Sequence, residues 1–117
     1  MATFQQRFSL TKRREESTRI VSKYPERCPI IVERVSTEKN LPQIDRNKYL
    51  VPNSITFGQF IFIIRKRIKC KPNDAIFLFI GKDNLVPITK TIAEVYEEMK
   101  DEDGFLYCKY ASESTFG

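Results

Sequence analysis

Apolar positions recur at helical spacing between residues 57 and 68, where Phe57, Phe60, Ile61, Ile64 and Ile68 fall on one face at about 100° per residue. That face predicts a core helix. Ile63 is left beside it with Arg67 one turn on, an apolar shoulder in partial view of solvent. Thr56 and Gln59 ahead of the helix have capping-box spacing, and Ile55 and Phe60 have hydrophobic-staple spacing. Thr91 and Glu94 repeat the capping box before a shorter helix that buries Ile92, Val95, Tyr96 and Met99. A third periodic run places Ser17, Ile20, Val21 and Tyr24 on a thin stripe, so residues 11–24 predict a surface helix ended by Pro25.

Four stretches read as strands. Residues 28–35 (CPIIVERV) and 75–80 (AIFLFI) are apolar at successive positions, as buried strands are. Residues 49–51 form a short strand stopped by Pro52, and residues 105–110 (FLYCKY) alternate. Phe4, Phe8 and Leu10 anchor only a short amphipathic turn, which should dock loosely. Residues 36–47 are a long polar connection, residues 101–104 a solvated acidic turn, and residues 111–117 a patternless, mobile tail. Helices and strands interleave without a regular βαβ repeat. The predicted class is α+β, a mixed sheet with helices packed on it.

Bulk properties narrow the function by exclusion. The chain has 117 residues, 41% hydrophobic and 30% charged, enough for one globular domain and too few for two. Its N-terminal stretch lacks the apolar core of a secretory signal, and no apolar run reaches the ~18 residues of a membrane span. Three separated cysteines and no histidine argue against a structural zinc site and for reduced thiols in a cytosolic protein. The expected cofactor complement is none.

A formal charge of +5 and a pI of about 9.2 favour acidic partners. No catalytic constellation stands out: there is no histidine base, no phosphate-binding glycine loop, and Cys108 sits in a strand pattern. The Asp101–Gly104 cluster lacks the alternating ligands of a calcium loop. Arg65, Lys66, Arg67, Lys69 and Lys71 form the densest basic patch, without the exposed interleaved aromatics of a nucleic-acid reader. A terminal Gly117 after a polar segment is the one reactive-end candidate, because a residue without a side chain can thread a narrow channel.

Several motifs then occur in order: Tyr24-Pro25, Arg27, Pro29-Ile30-Ile31-Val32-Glu33, Asp45, Lys48-Tyr49-Leu50-Val51-Pro52, Arg65-Lys66-Arg67, KDEDGFLY at 100–107 and Phe116-Gly117. Together they closely resemble the autophagy-related ubiquitin-like modifiers, the group of GABARAP and the microtubule-associated-protein light chain three proteins. The helix region is similar to the first branch, and EKNLPQIDR and YASESTFG to the second. The resemblance implies a ubiquitin-like β-grasp with two additional N-terminal helices: residues 1–25 as helical extension, 26–110 as core and 111–117 as tail.

The resemblance also implies a modifier, not an enzyme. Gly117 would be activated by an ATP-using activating enzyme, passed to a conjugating enzyme and joined to phosphatidylethanolamine. A cysteine protease would process or delipidate it. The protein would be a monomer, cytoplasmic, and on autophagosome membranes when lipidated. It would recruit cargo receptors and adaptors through an aromatic-x-x-aliphatic peptide added beside the second strand. Glu16, Ile20, Pro29, Ile31, Lys48, Leu50 and Phe105 would line an aromatic pocket. Tyr49, Val51, Pro52, Ile55, Phe60 and Ile63 would line an aliphatic one, with Arg27, Arg46, Lys48 and Arg67 meeting acidic flanks. The rivals are a modifier of protein lysines and a non-conjugated basic adaptor that binds microtubules or RNA through Arg13, Arg14, Lys66 and Lys69.

Overall fold

The computed structural model describes residues 2–82 and 84–113. Its elements run α1 (Phe4–Arg7), α2 (Leu10–Lys23), β1 (Arg27–Arg34), β2 (Lys48–Pro52), α3 (Phe57–Ile68), β3 (Phe77–Ile80), α4 (Ile92–Met99) and β4 (Leu106–Ala111). Among the described residues the strands form one sheet in the order β2-β1-β4-β3. The central pair β1 and β4 is parallel and both outer pairs are antiparallel, so the sheet is mixed as the sequence predicts.

Successive residues of a strand point to opposite faces, which explains the continuous apolar run of β1. Cys28, Ile30 and Val32 enter the main core with Phe57, Phe60, Ile64 and Ile68 of α3 and Ile92 and Val95 of α4. Ile31 points the other way, into a second cluster with Phe4 of α1 and Phe105, against which Ile20 of α2 packs. Helices cover both faces, so neither can be polar.

Both predicted capping boxes form. The Thr56 hydroxyl accepts from the Gln59 N–H at 3.1 Å and the Gln59 side chain accepts from the Thr56 N–H at 2.8 Å; Thr91 and Glu94 do the same. The two helix starts lie side by side, since the Ile92 N–H donates to the Ile55 carbonyl at 2.8 Å and that of Ala93 to Asn53 at 3.0 Å. At its far end α3 is closed by Lys69 in the left-handed region, φ +58°, whose N–H returns to the Arg65 and Lys66 carbonyls.

Three expectations are corrected. Of residues 1–10, the described ones, 2–10, do not dock loosely. Thr3 and Gln6 form a third capping box, and Phe4 is buried with its ring 5.1 Å from that of Phe105 and its N–H on the Glu33 carboxylate at 2.8 Å. Burying that side chain contributes about 2 kcal/mol, enough to hold a four-residue helix down.

The acidic turn is not fully solvated: Glu102 is exposed but Asp103 is enclosed. Asp103 is 1% exposed and accepts from Arg13 Nη1 at 2.6 Å, the Tyr107 hydroxyl at 2.5 Å and the Phe105 N–H at 2.8 Å. The Ser17 hydroxyl donates to its carbonyl. A carboxylate can be enclosed when its lone pairs are taken in this way.

The tail is also anchored further along than expected. Ala111 pairs with Phe77 inside β4 and is buried, and Ser112 donates twice to Glu38.

Candidate functional site

β2 is an edge strand, hydrogen-bonded to β1 alone. Two bonds that flank the β1–β2 ladder fix which of its backbone groups are free. The Val32 N–H donates to the Asn47 carbonyl at 2.7 Å and the Asn53 N–H to that of Glu26 at 2.9 Å. In an antiparallel pair such partners recur every second residue. Tyr49 and Val51 therefore turn their N–H and C=O groups toward β1, while Lys48, Leu50 and Pro52 turn theirs to the open border. Pro52 is tolerated in a strand because the donor it lacks would have pointed away from the ladder. One outward acceptor is covered: Arg27 Nη1 donates to the Leu50 carbonyl at 3.0 Å.

On one face of this border the register sets Lys48 opposite Ile31 and Leu50 opposite Pro29. Lys48 pairs with the Glu16 carboxylate, and its ammonium stands 5.9 Å from the centre of the Phe4 ring. Ile31 and Phe105 form the floor and Ile20 packs on them from α2. The seven residues of the implied aromatic pocket thus come together on the α2 face. Phe4 packs on the same face, its ring 5.1 Å from that of Phe105, and the Thr3–Gln6 spacing that starts its helix repeats the capping signal of the other two.

On the opposite face Tyr49 lies edge-on to Phe60, ring centres 6.2 Å apart, and Val51 and Phe60 belong to the main core with Tyr49 and Ile55 packed against it. Ile63 of α3 remains 44% exposed, and Pro52, at the end of β2, is half-buried. The exposure of Ile63 expected from helical periodicity is therefore observed. Burial pushes the Tyr49 phenol above its ordinary range against the pull of the Arg67 and Arg46 charges. Its oxygen is enclosed with no hydrogen bond of ordinary geometry, despite the nearby Arg67.

Cations ring both faces. Arg67 Nε holds Asp45 at 3.0 Å, Arg27 holds Leu50, Lys48 holds Glu16, and Arg46 is exposed. Each of these contacts is exposed or only partly buried, so an incoming carboxylate could exchange with it at little net cost.

The remaining candidate, Gly117, lies outside the described residues, as does Phe116. No group of metal-ligating side chains occurs among the described residues, and no helix there is long and apolar enough to cross a membrane. Residues 12–117 match the family described as autophagy protein Atg8, ubiquitin like. The chain belongs to the Atg8 family. It is 50% identical to autophagy-related protein 8d of Arabidopsis thaliana over 117 residues, covering 100% of this chain and 96% of that one. Autophagy-related protein 8 of Mycosarcoma maydis is 48% identical over 99% of this chain and 97% of its own. That of Schizosaccharomyces pombe is 50% identical over 97% and 93%. The protein is accordingly a ubiquitin-like protein of autophagy with the mixed-sheet α+β fold of that family.

Proposed function

We propose that this Atg8 protein is a modifier joined through Gly117 to phosphatidylethanolamine, and that its β2 border receives peptides bearing an aromatic-x-x-aliphatic motif. The observation that supports the peptide reading is an edge strand on which Lys48 and Leu50 alternate with Tyr49 and Val51, so that an added peptide would meet a different set of side chains on each face. In an extended peptide, residues separated by an odd number point to opposite faces. An aromatic residue and an aliphatic residue three positions later therefore straddle the sheet edge, one toward Lys48 and Leu50, the other toward Tyr49 and Ile63. Outward backbone groups of Lys48 and Leu50 supply the ladder, and Arg27, Arg46, Lys48 and Arg67 favour acidic flanks.

Conjugation rests on family membership and on the match extending to residue 117. The Gly117 carboxyl would be activated at the expense of ATP and carried as a thioester. The amine of the lipid would then displace the thiol to form an amide. Two acyl chains suffice for stable anchoring. The partners are the activating and conjugating enzymes, a processing protease, and cargo receptors and adaptors; the place is the cytoplasm and, after conjugation, the autophagosome membrane.

The rival of a basic adaptor has less support, because Arg13, one of its four cations, is already held by the enclosed Asp103. Incubation with both enzymes, ATP and phosphatidylethanolamine liposomes should convert the protein to a faster-migrating form. Gly117→Ala should abolish that product, and equal conversion of the variant would refute the assignment of the reactive end.

A further inference from the structure

Glu38 is a buried carboxylate that neither pocket uses. It lies in the connection after β1, 9% exposed, and its two oxygens take four donors. Oε2 accepts from the backbone N–H groups of Asn40 and Leu41, each at 2.9 Å. Oε1 accepts from the Ser112 N–H at 2.7 Å and the Ser112 hydroxyl at 3.0 Å. No cation pairs with it among the described residues.

Half of these bonds serve the loop, whose Leu41 is buried in the main core. The other half hold the first residue after β4, which leaves the sheet at Ala111. Asn40 adds a longer contact, its side-chain amide 3.5 Å from the Ser112 hydroxyl. Around this point a groove of about 220 Å³ is lined by Val35, Glu38, Asn40, Ala111, Ser112 and Glu113, among others. A carboxylate costs more to bury than an amide or an aliphatic side chain. The donors that satisfy its second oxygen both come from Ser112, so enclosing Glu38 also fixes the residue at which the chain leaves β4.

We infer that Glu38 is a positioning residue for conjugation, holding Ser112 so that the segment carrying Gly117 departs from one fixed point. The inference rests on the reading of Gly117 as the reactive end. From Ser112 the five remaining residues span at most about 18 Å, so the clamp defines the volume the carboxylate can reach. Without it, an enzyme must also order Ser112. Ordering the backbone of one residue is worth roughly a factor of ten. That factor belongs to capture, so it acts on KM and leaves kcat unchanged.

Hydrogen exchange and steady-state charging of the activating enzyme test this together. In Glu38→Gln the Ser112 amide should exchange at least about tenfold faster while the β1 and α4 amides keep their protection, and KM should rise roughly tenfold at unchanged kcat. Ser112→Pro removes the donor from the other side and leaves the Asn40 and Leu41 bonds in place. Its strand-bound neighbour Ala111 already has the backbone that precedes proline. It should show the same KM rise, and it decides the matter if Glu38→Gln loosens the core. Unchanged Ser112 exchange in Glu38→Gln, or unchanged KM in a folded variant, overturns the clamp. A parent protein that is never charged overturns the Gly117 reading, and the clamp's role with it.

Discussion

Gly104 faces Ser17 so closely that a β-carbon on the glycine would overlap the serine hydroxyl and stand 3.0 Å from its Cβ. The glycine also has φ +90°, outside the range that side chains favour. Gly104→Ala is therefore strained twice, by backbone and by collision with α2. It should cost at least about 2 kcal/mol and lower the melting temperature by roughly 10 °C, measured by calorimetry.

The same junction contains the Arg13–Asp103 pair, whose carboxylate is fully enclosed. Asp103→Ala leaves the Arg13 guanidinium and the Tyr107 hydroxyl without their acceptor and should cost about 3–5 kcal/mol. The pair is coupled, so a double-mutant cycle with Arg13→Ala should return an interaction of about 1–3 kcal/mol in denaturant unfolding. Additive losses would show that the two side chains act independently.

Peptide capture should divide between the faces of β2. Lys48→Ala with Leu50→Ala removes one wall, and Ile63→Asp puts a charge on the shoulder of the other. Ile63 is exposed, so its substitution should leave the melting temperature within about 2 °C. Each variant should abolish calorimetric binding of an aromatic-x-x-aliphatic peptide. Retained binding by Ile63→Asp would remove α3 from the site.

Acid should loosen the root of the C-terminal segment. Burial alone would raise the Glu38 carboxyl above its ordinary 4.5, but hydrogen bonds from Ser112, Leu41 and Asn40 outweigh it and hold it below that value. A depressed carboxylate stabilises the folded chain fully above its unfolded pKa and loses that contribution as pH falls through the folded one. Stability contributed by Glu38 is thus constant above about pH 4.5 and declines below it. In Glu38→Gln this part of the acid limb should flatten, as followed by melting temperature against pH.

Thiol chemistry offers a check on packing. Burial pushes the Cys28 thiol up to about 11 and raises the enclosed Cys108 still further, while Cys70 is only half-buried. Timed alkylation at pH 8 with mass spectrometry should label Cys70 first, Cys28 slowly and Cys108 only on unfolding. Early labelling of Cys108 would contradict its place in the core.

Local signals carried the helices. Thr56 with Gln59 and Thr91 with Glu94 announce helix starts within four residues, and the 3.6-residue period separates Phe60 from Ile63 without any tertiary information. Contacts across long sequence separations were not legible in that way. Arg13 and Asp103 are 90 positions apart and Glu38 and Ser112 are 74, so composition suggested only a solvated turn and a loose tail. Around the proposed peptide border, apolar spacing alone indicated that Ile63 stays exposed. Lys48 meeting Glu16, 32 positions away, entered only through resemblance to a family. Which backbone groups of β2 face outward depends on register, and no local pattern encodes register for a five-residue strand.

The guard that Arg27 keeps on the Leu50 carbonyl has a bearing on crowding. A bilayer patch coated with many copies would bring bare strand borders together, and such borders fasten to one another unless something stops them. Here a guanidinium sits on one acceptor and Pro52 withholds a donor. Two of the groups that a second copy would need for pairing are thereby withheld, and a partner that draws the arginine away would regain one of them.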